Sequence, residues 1–198
     1  SAKSVDAELT WGLISGALLP RLQELDPGNH LSLPGSAHGQ GSGAHAFLMD
    51  GQASLLHHDK DDDGCVSTGE EAYLMYGFRQ GGSCYMVLDI SNIAKDSNPK
   101  VHWRFCGPHD INSLNRGSDS PLISEHPGFQ NLGQTWSMPV GGYAPGQGIL
   151  AFFGGGFDPQ TFSDQTDPFG DVIMNRRKLR LGSSFYMVNV SKRQLISS

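Results

Sequence analysis

Ala72-Tyr-Leu-Met-Tyr-Gly-Phe78, the break Gly81-Gly82 and Cys84-Tyr-Met-Val-Leu-Asp-Ile-Ser91 together decide the fold. Each apolar run is too short for an ordinary helix and rich in aromatic residues, and glycine separates them, so they are read as two adjacent strands with both faces buried. Further along, the order returns: Ile149-Leu-Ala-Phe-Phe-Gly-Gly155, then, after a long insertion, Phe185-Tyr-Met-Val-Asn-Val-Ser191. The shared Tyr-Met-Val aligns the two copies. Leu9-Thr-Trp11 matches Val101-His-Trp103, each a short strand reaching a Trp. A further candidate strand precedes each pair, near 53–57 and 135–140. The repeating unit is therefore four strands, predicted over 53–58, 71–78, 83–91 and 100–106, and again over 135–140, 148–154, 184–190 and 193–197.

Four-stranded units separated by glycine turns predict an all-β chain of β-propeller-like blades. A closed propeller takes about four to eight blades. The 198 residues supply about two to three, so residues 1–198 are read as one partial β-propeller domain, a piece of a longer polypeptide. A β-sandwich is the competing architecture. Between Trp11 and Leu25 the leucines fall at helical spacing, and Pro20 suits a first helical turn, so one short helix is expected near 20–25. Gly, Pro, Ser and polar residues mark long loops over 26–44, 107–134 and 157–182.

Composition removes several function classes. Lys+Arg 14 against Asp+Glu 20 gives a net charge of −6, and basic residues cluster only at Arg176, Arg177, Lys178 and Arg180, so no nucleic-acid partner is expected. No apolar run approaches the roughly 20 residues of a membrane helix. The first residue, Ser rather than Met, reads as that of a processed or excised chain, so the lack of a signal peptide says little. Gly-X-Ser-X-Gly is absent, the eight His are scattered, and the glycine runs at 39–43 and 154–156 lack the Gly-Lys-Ser/Thr ending of a phosphate loop. The chain is read as non-enzymatic. Asn189-Val-Ser191 is a glycosylation sequon, but it falls in a predicted strand.

One motif carries chemistry. Asp59-Lys-Asp61-Asp-Asp63-Gly64-Cys65-Val-Ser67-Thr-Gly-Glu70 follows the twelve-position calcium loop. Asp59, Asp61 and Asp63 take positions 1, 3 and 5, and Gly64 makes the sharp turn. Cys65 lends its carbonyl, Ser67 acts through a water, and Glu70 closes the shell. Ca²⁺ needs six to eight hard oxygens, which one short segment supplies only by curling round the ion. Without a cation, Asp59, Asp61, Asp62, Asp63 and Glu70 repel one another. A solvated acidic turn, or a site for Mg²⁺ or Mn²⁺, is the alternative. Strand-forming residues flank the loop where an EF-hand would have helices, so it is expected to join two strands and to stiffen a blade edge. His57 and His58 face opposite ways in a strand and are not joint ligands. A second acidic region, Asp158, Asp164, Asp167 and Asp171, lacks the alternation and reads as a solvated loop. Cys84 and Cys106 lie symmetrically about the 91–100 connection, so a hairpin would bring them opposite. A disulfide there and two buried thiols are both open, and Cys65 is left over.

Leu74-Met-Tyr-Gly-Phe-Arg-Gln-Gly-Gly-Ser-Cys-Tyr-Met-Val-Leu-Asp-Ile-Ser91, Trp103, Leu132-Gly-Gln-Thr-Trp-Ser-Met-Pro139 and Phe153-Gly-Gly-Gly-Phe-Asp158 resemble, in order, the C-terminal β-propeller of the PilC/PilY family of type IV pilus tip and assembly proteins. Leu9-Thr-Trp-Gly-Leu-Ile, Leu18-Leu-Pro-Arg-Leu22 and Met49-Asp-Gly51 extend the resemblance over roughly 9–196. It implies part of a modified propeller displayed outside a bacterial cell. Such proteins support pilus assembly, oppose retraction and adhere to surfaces, with calcium in an Asp-X-Asp-X-Asp-Gly loop, here Asp59, Asp61 and Asp63. The implied partners are pilin or minor pilin subunits, the remaining blades, and a surface or host receptor. This chain departs in being much shorter and in lacking Arg-Gly-Asp. Two other classes compete: a quinone-dependent dehydrogenase propeller, for which the chain lacks an adjacent Cys pair and enough blades, and a free-standing calcium-dependent carbohydrate-binding module.

Overall fold

A computed structural model describes residues 11–15, 18, 49–93, 95, 98–107, 128–157 and 181–198. The expected helix near 20–25, the loop 26–44, most of the 107–134 and 157–182 connections, and the acidic residues Asp158, Asp164, Asp167 and Asp171 lie outside the described residues. The apolar runs form two four-stranded antiparallel sheets, each a simple up-and-down succession. Sheet 1 comprises β1 (Ala53–His58), β2 (Glu71–Gly77), β3 (Cys84–Asp89) and β4 (Lys100–Cys106). Sheet 2 comprises β5 (Val140–Ala144), β6 (Gly148–Gly154), β7 (Phe185–Asn189) and β8 (Gln194–Ser197). Strands are the dominant regular element of the described residues, which do not form a closed ring of sheets. No helix among them is long and apolar enough to cross a membrane.

The first strand of sheet 2 is displaced from its expected position. Gly141-Gly142 weakens strand propensity over 140–144, yet these residues pair with β6 from Val140↔Phe152 to Ala144↔Gly148. The segment expected to be a strand, 135–140, is instead mostly a strap across the end of sheet 1. The buried Thr135 hydroxyl accepts Phe78 N–H at 2.7 Å and lies 2.9 Å from the Cys84 carbonyl, to which it donates. The strap lies so close to β2 that a Cβ on Gly77 would stand 2.5 Å from the Thr135 carbonyl oxygen. Farther along, the Ser137 carbonyl accepts the Tyr85 hydroxyl at 2.7 Å, and the Pro139 carbonyl accepts the Ser54 hydroxyl.

The two sheets repeat one register. Tyr76↔Met86 in sheet 1 corresponds to Phe153↔Tyr186 in sheet 2, and Leu74↔Leu88 to Ala151↔Val188. A bulge interrupts the third-to-fourth strand pairing at Val87/Leu88 and, at the corresponding place, at Met187/Val188. The Ser91 hydroxyl accepts Ala72 N–H at 3.0 Å, and the Ser191 hydroxyl accepts Ile149 N–H at 2.9 Å. Tyr85 therefore corresponds to Phe185, and Met86 to Tyr186. Aligning the two Tyr-Met-Val triplets is wrong by one residue, and in a strand one residue exchanges the faces.

That slip fixes how the sheets meet. Tyr73, Met75, Tyr85, Val87, Trp103 and Phe105 of sheet 1 pack on Ile149, Ala151, Phe153, Tyr186, Val188 and Val190 of sheet 2. Because Tyr186 corresponds to Met86, sheet 2 offers sheet 1 the face opposite to the one sheet 1 offers it. The sheets thus stack in one sense, like successive layers. Phe129 and Leu132 complete the core, with ring centroids 4.4 Å apart for Tyr85 and Phe153 and 5.4 Å for Phe153 and Tyr186. Burying each such ring contributes roughly 1.5–3 kcal/mol. The far face of sheet 1, with Phe78, Cys84, Met86, Leu88 and Cys106, is covered by Trp11 and Leu18.

Phe78 N–H also donates to the Cys84 carbonyl at 3.0 Å. Replacing Thr135 by Val is therefore expected to cost about 1–2 kcal/mol through loss of the hydroxyl that accepts Phe78 and Arg79 N–H and donates to the Cys84 carbonyl, whereas Thr135→Ser should keep most of the stability. Urea denaturation of the three proteins measures this; equal midpoints would contradict the strap's role.

Candidate metal centre

The loop expected to bind metal links β1 to β2, and its base is the paired residues His58 and Glu71. Inside it the chain turns tightly, with Asp62 at φ 55° and Gly64 at φ 75°. Glycine reaches the left-handed region without strain, which is why position 6 of such a loop selects it. The Asp59 carboxylate accepts Asp63 N–H at 3.2 Å and Gly64 N–H at 2.8 Å, and the Asp63 carboxylate accepts Cys65 N–H at 2.7 Å. These bonds curl the segment inward. Asp59, Asp61 and Asp63 consequently each present a carboxylate oxygen, all within 4.8 Å of one another.

The electrostatics separate the three aspartates. Backbone N–H donation, chiefly from Gly64, holds the Asp59 carboxyl below its ordinary range. Asp61 is pushed up, first by lost hydration and then by the charges of Asp63 and Glu70. It is the crowded member of the set, and a cation beside it would relieve both costs. Three hard carboxylate oxygens on one short turn fit Ca²⁺ or Mg²⁺ rather than a metal that prefers sulfur or imidazole.

Glu70, expected to close the shell, is near enough for its charge to act on Asp59 and Asp61, and its own hydrogen bonds go to the loop backbone. Glu70 is nearly buried, and its two oxygens take Lys60 N–H at 2.6 Å and Ser67 N–H at 2.8 Å. The His57 Nε2 lies 3.0 Å from the same carboxylate. Chiefly the two backbone donors, with His57 adding, push the Glu70 carboxyl down to about 2. Glu70 therefore clasps the two ends of the loop. In a helix-flanked loop the exiting helix would carry this residue back over the ion; here β2 starts at the next position and runs away extended. The Ser67 carbonyl accepts Glu70 N–H at 3.2 Å, and Cys65 is exposed with a free thiol.

His57 and His58 point in opposite directions, as their adjacency requires. His57 meets Glu70, whereas the His58 ring stacks on Tyr143 of sheet 2 with centroids 3.4 Å apart. Beside it, the Ser191 hydroxyl donates to the Glu71 carboxylate at 2.6 Å, and His102 Nε2 donates to the Val190 carbonyl at 2.9 Å. The base of the acidic loop thus sits on the junction between the sheets. No local motif marks His57, Tyr143 or Ser191 as partners, because each contact depends on register or on the packing of distant strands.

Cys84 and Cys106 form a disulfide with Cα atoms 4.1 Å apart. They are directly opposed in β3 and β4, which makes the close approach natural. A loop of this size contributes about 3 kcal/mol. The Asn189 side chain is 1% exposed and donates to the Gln147 carbonyl at 2.8 Å, so the sequon is closed to modification in the folded chain. No family model, curated protein or solved structure matches the chain.

The lowered Glu70 pKa sets a pH dependence. Glu70 stabilises the loop fully above its ordinary pKa near 4.5, and that contribution is lost as pH falls toward about 2. In chelator, the melting temperature should fall across this window, and Glu70→Gln should flatten part of the fall. Parallel acid profiles for the two proteins would contradict the clasp.

Proposed function

We propose that this chain is a non-enzymatic, calcium-binding propeller segment of a type IV pilus tip or biogenesis protein that serves surface adhesion and pilus assembly. The observation that carries the reading is the acidic triad. Asp59, Asp61 and Asp63 converge on one turn whose base rests on the contact between two repeated sheets. A Ca²⁺ ion there neutralises mutually repelling carboxylates and stiffens the β1–β2 hairpin, so ion binding holds the sheet junction in place. Stacking in one sense is the order in which propeller blades follow one another, and it favours that architecture over a sandwich closed on two sheets. The Cys84–Cys106 bridge supports an oxidising, extracytoplasmic setting such as the bacterial surface. The partners in this reading are pilin or minor pilin subunits, the remaining blades, and a surface or host receptor. The long connections over 107–134 and 157–182 are the contact loops.

Calorimetric titration is expected to find one Ca²⁺ site, weakened at least about tenfold by Asp61→Ala. Calcium should raise the melting temperature of the wild-type chain and leave that of the variant unchanged, and chelation should speed proteolysis between His57 and Glu71. Equal melting shifts in both proteins, or cleavage indifferent to chelator, would contradict the calcium assignment. In the bacterium that makes the protein, Asp61→Ala is expected to reduce surface piliation; unaltered piliation with lost calcium binding would sink the pilus assignment alone.

A further inference from the structure

Matching register between the sheets identifies a surface whose counterpart in sheet 1 is already buried. Tyr85 and Val87, which face sheet 2, correspond to Phe185 and Met187 of β7. Met75 corresponds in the same way to Phe152. In sheet 2 these residues turn outward, away from sheet 1. With Val140, Leu150 and Ile196 they form an apolar face, on which Phe185 is 63% exposed, Val140 55% and Ile196 42%. The Phe152 and Phe185 rings stack there with centroids 6.2 Å apart. A patch of this composition marks an interaction site.

The chemistry of the occupant follows from the interface already present. The outward face of sheet 2 is the same face that, in sheet 1, receives the small and aromatic residues Ile149, Ala151, Phe153, Tyr186 and Val188. Among the described residues, a second copy of the chain offers no such surface. Its sheet 2 has buried that surface, and the matching face of its sheet 1 is covered by Trp11 and Leu18. We propose that the outward face of sheet 2 seats a third four-stranded sheet of the same repeat, joined after β8 as β5 is joined after β4. This rests on the stacked-sheet part of the reading above and is independent of calcium.

The test uses the full chain carrying Cys65→Ser, which removes the exposed free thiol, and Phe185→Cys as a reporter. Maleimide labelling is compared between this chain and one in which residues 107–198, with Phe185 retained, are repeated after Ser198. The extension is expected to slow labelling by about tenfold or more, and Val188→Asp in the added copy alone should restore the fast rate. Labelling as fast with the extension as without it would overturn the proposal. In the unextended chain, Phe185→Lys is expected to leave the melting temperature within about 2 °C, with a monomer by light scattering. A larger loss would mean that the face is already covered by this chain, and a dimer dispersed by Phe185→Lys would mean that a second copy occupies it; either result overturns the proposal. Failure here leaves the calcium titration untouched, and the converse holds.

Discussion

A layer of interlocking rings between the two sheets is the contact on which the rest of the molecule depends. Tyr85 and Phe105 from sheet 1 meet Phe153 and Tyr186 from sheet 2, with Phe129 wedged among them. Separating the sheets would expose this layer to water, so each sheet stabilises the other. Once the rings have set the spacing, polar groups at the same interface find partners without further adjustment. The Tyr85 hydroxyl reaches the Ser137 carbonyl, His102 reaches Val190, and Ser191 reaches Glu71. Any change that rotates one sheet against the other breaks all of these at once.

The acidic loop depends on that packing as well as on its own sequence. Its inner geometry is local, since backbone N–H groups from residues 63 to 65 are satisfied by Asp59 and Asp63. Its orientation is not local. The stack of His58 on Tyr143 and the tether from Glu71 to Ser191 hold the hairpin base against sheet 2, while the Glu70 clasp closes the loop ends. A ligand that orders the loop therefore acts on the sheet junction through rigid neighbours, a short-range coupling that needs no moving helix pair.

Seven of the eight strands lie close to where the continuous apolar runs and glycine breaks put them, because β-rich apolar runs bounded by turns declare themselves locally. The exception, β5, is masked by Gly141-Gly142, whereas Thr135 to Pro139 look like a strand but spend their hydrogen bonds on the end of sheet 1. The internal repeat was legible and its register was not: Tyr-Met-Val is the strongest echo by eye, yet backbone pairing matches Tyr85 to Phe185. The matching bulges and the hydrogen bonds of Ser91 and Ser191 at the strand ends bear out that alignment. Within the site, the Asp59, Asp61 and Asp63 cluster followed from spacing alone. The part taken by Glu70 did not, because position 12 of a calcium loop presumes a helix after it, and here a strand follows.

A crystal structure of the chain grown in millimolar calcium tests the central claim most directly. The account predicts density for one ion about 2.3–2.6 Å from oxygens of Asp59, Asp61 and Asp63, beside two sheets stacked in one sense with His58 on Tyr143. A loop without an ion at that concentration, or sheets meeting through equivalent faces, would contradict it.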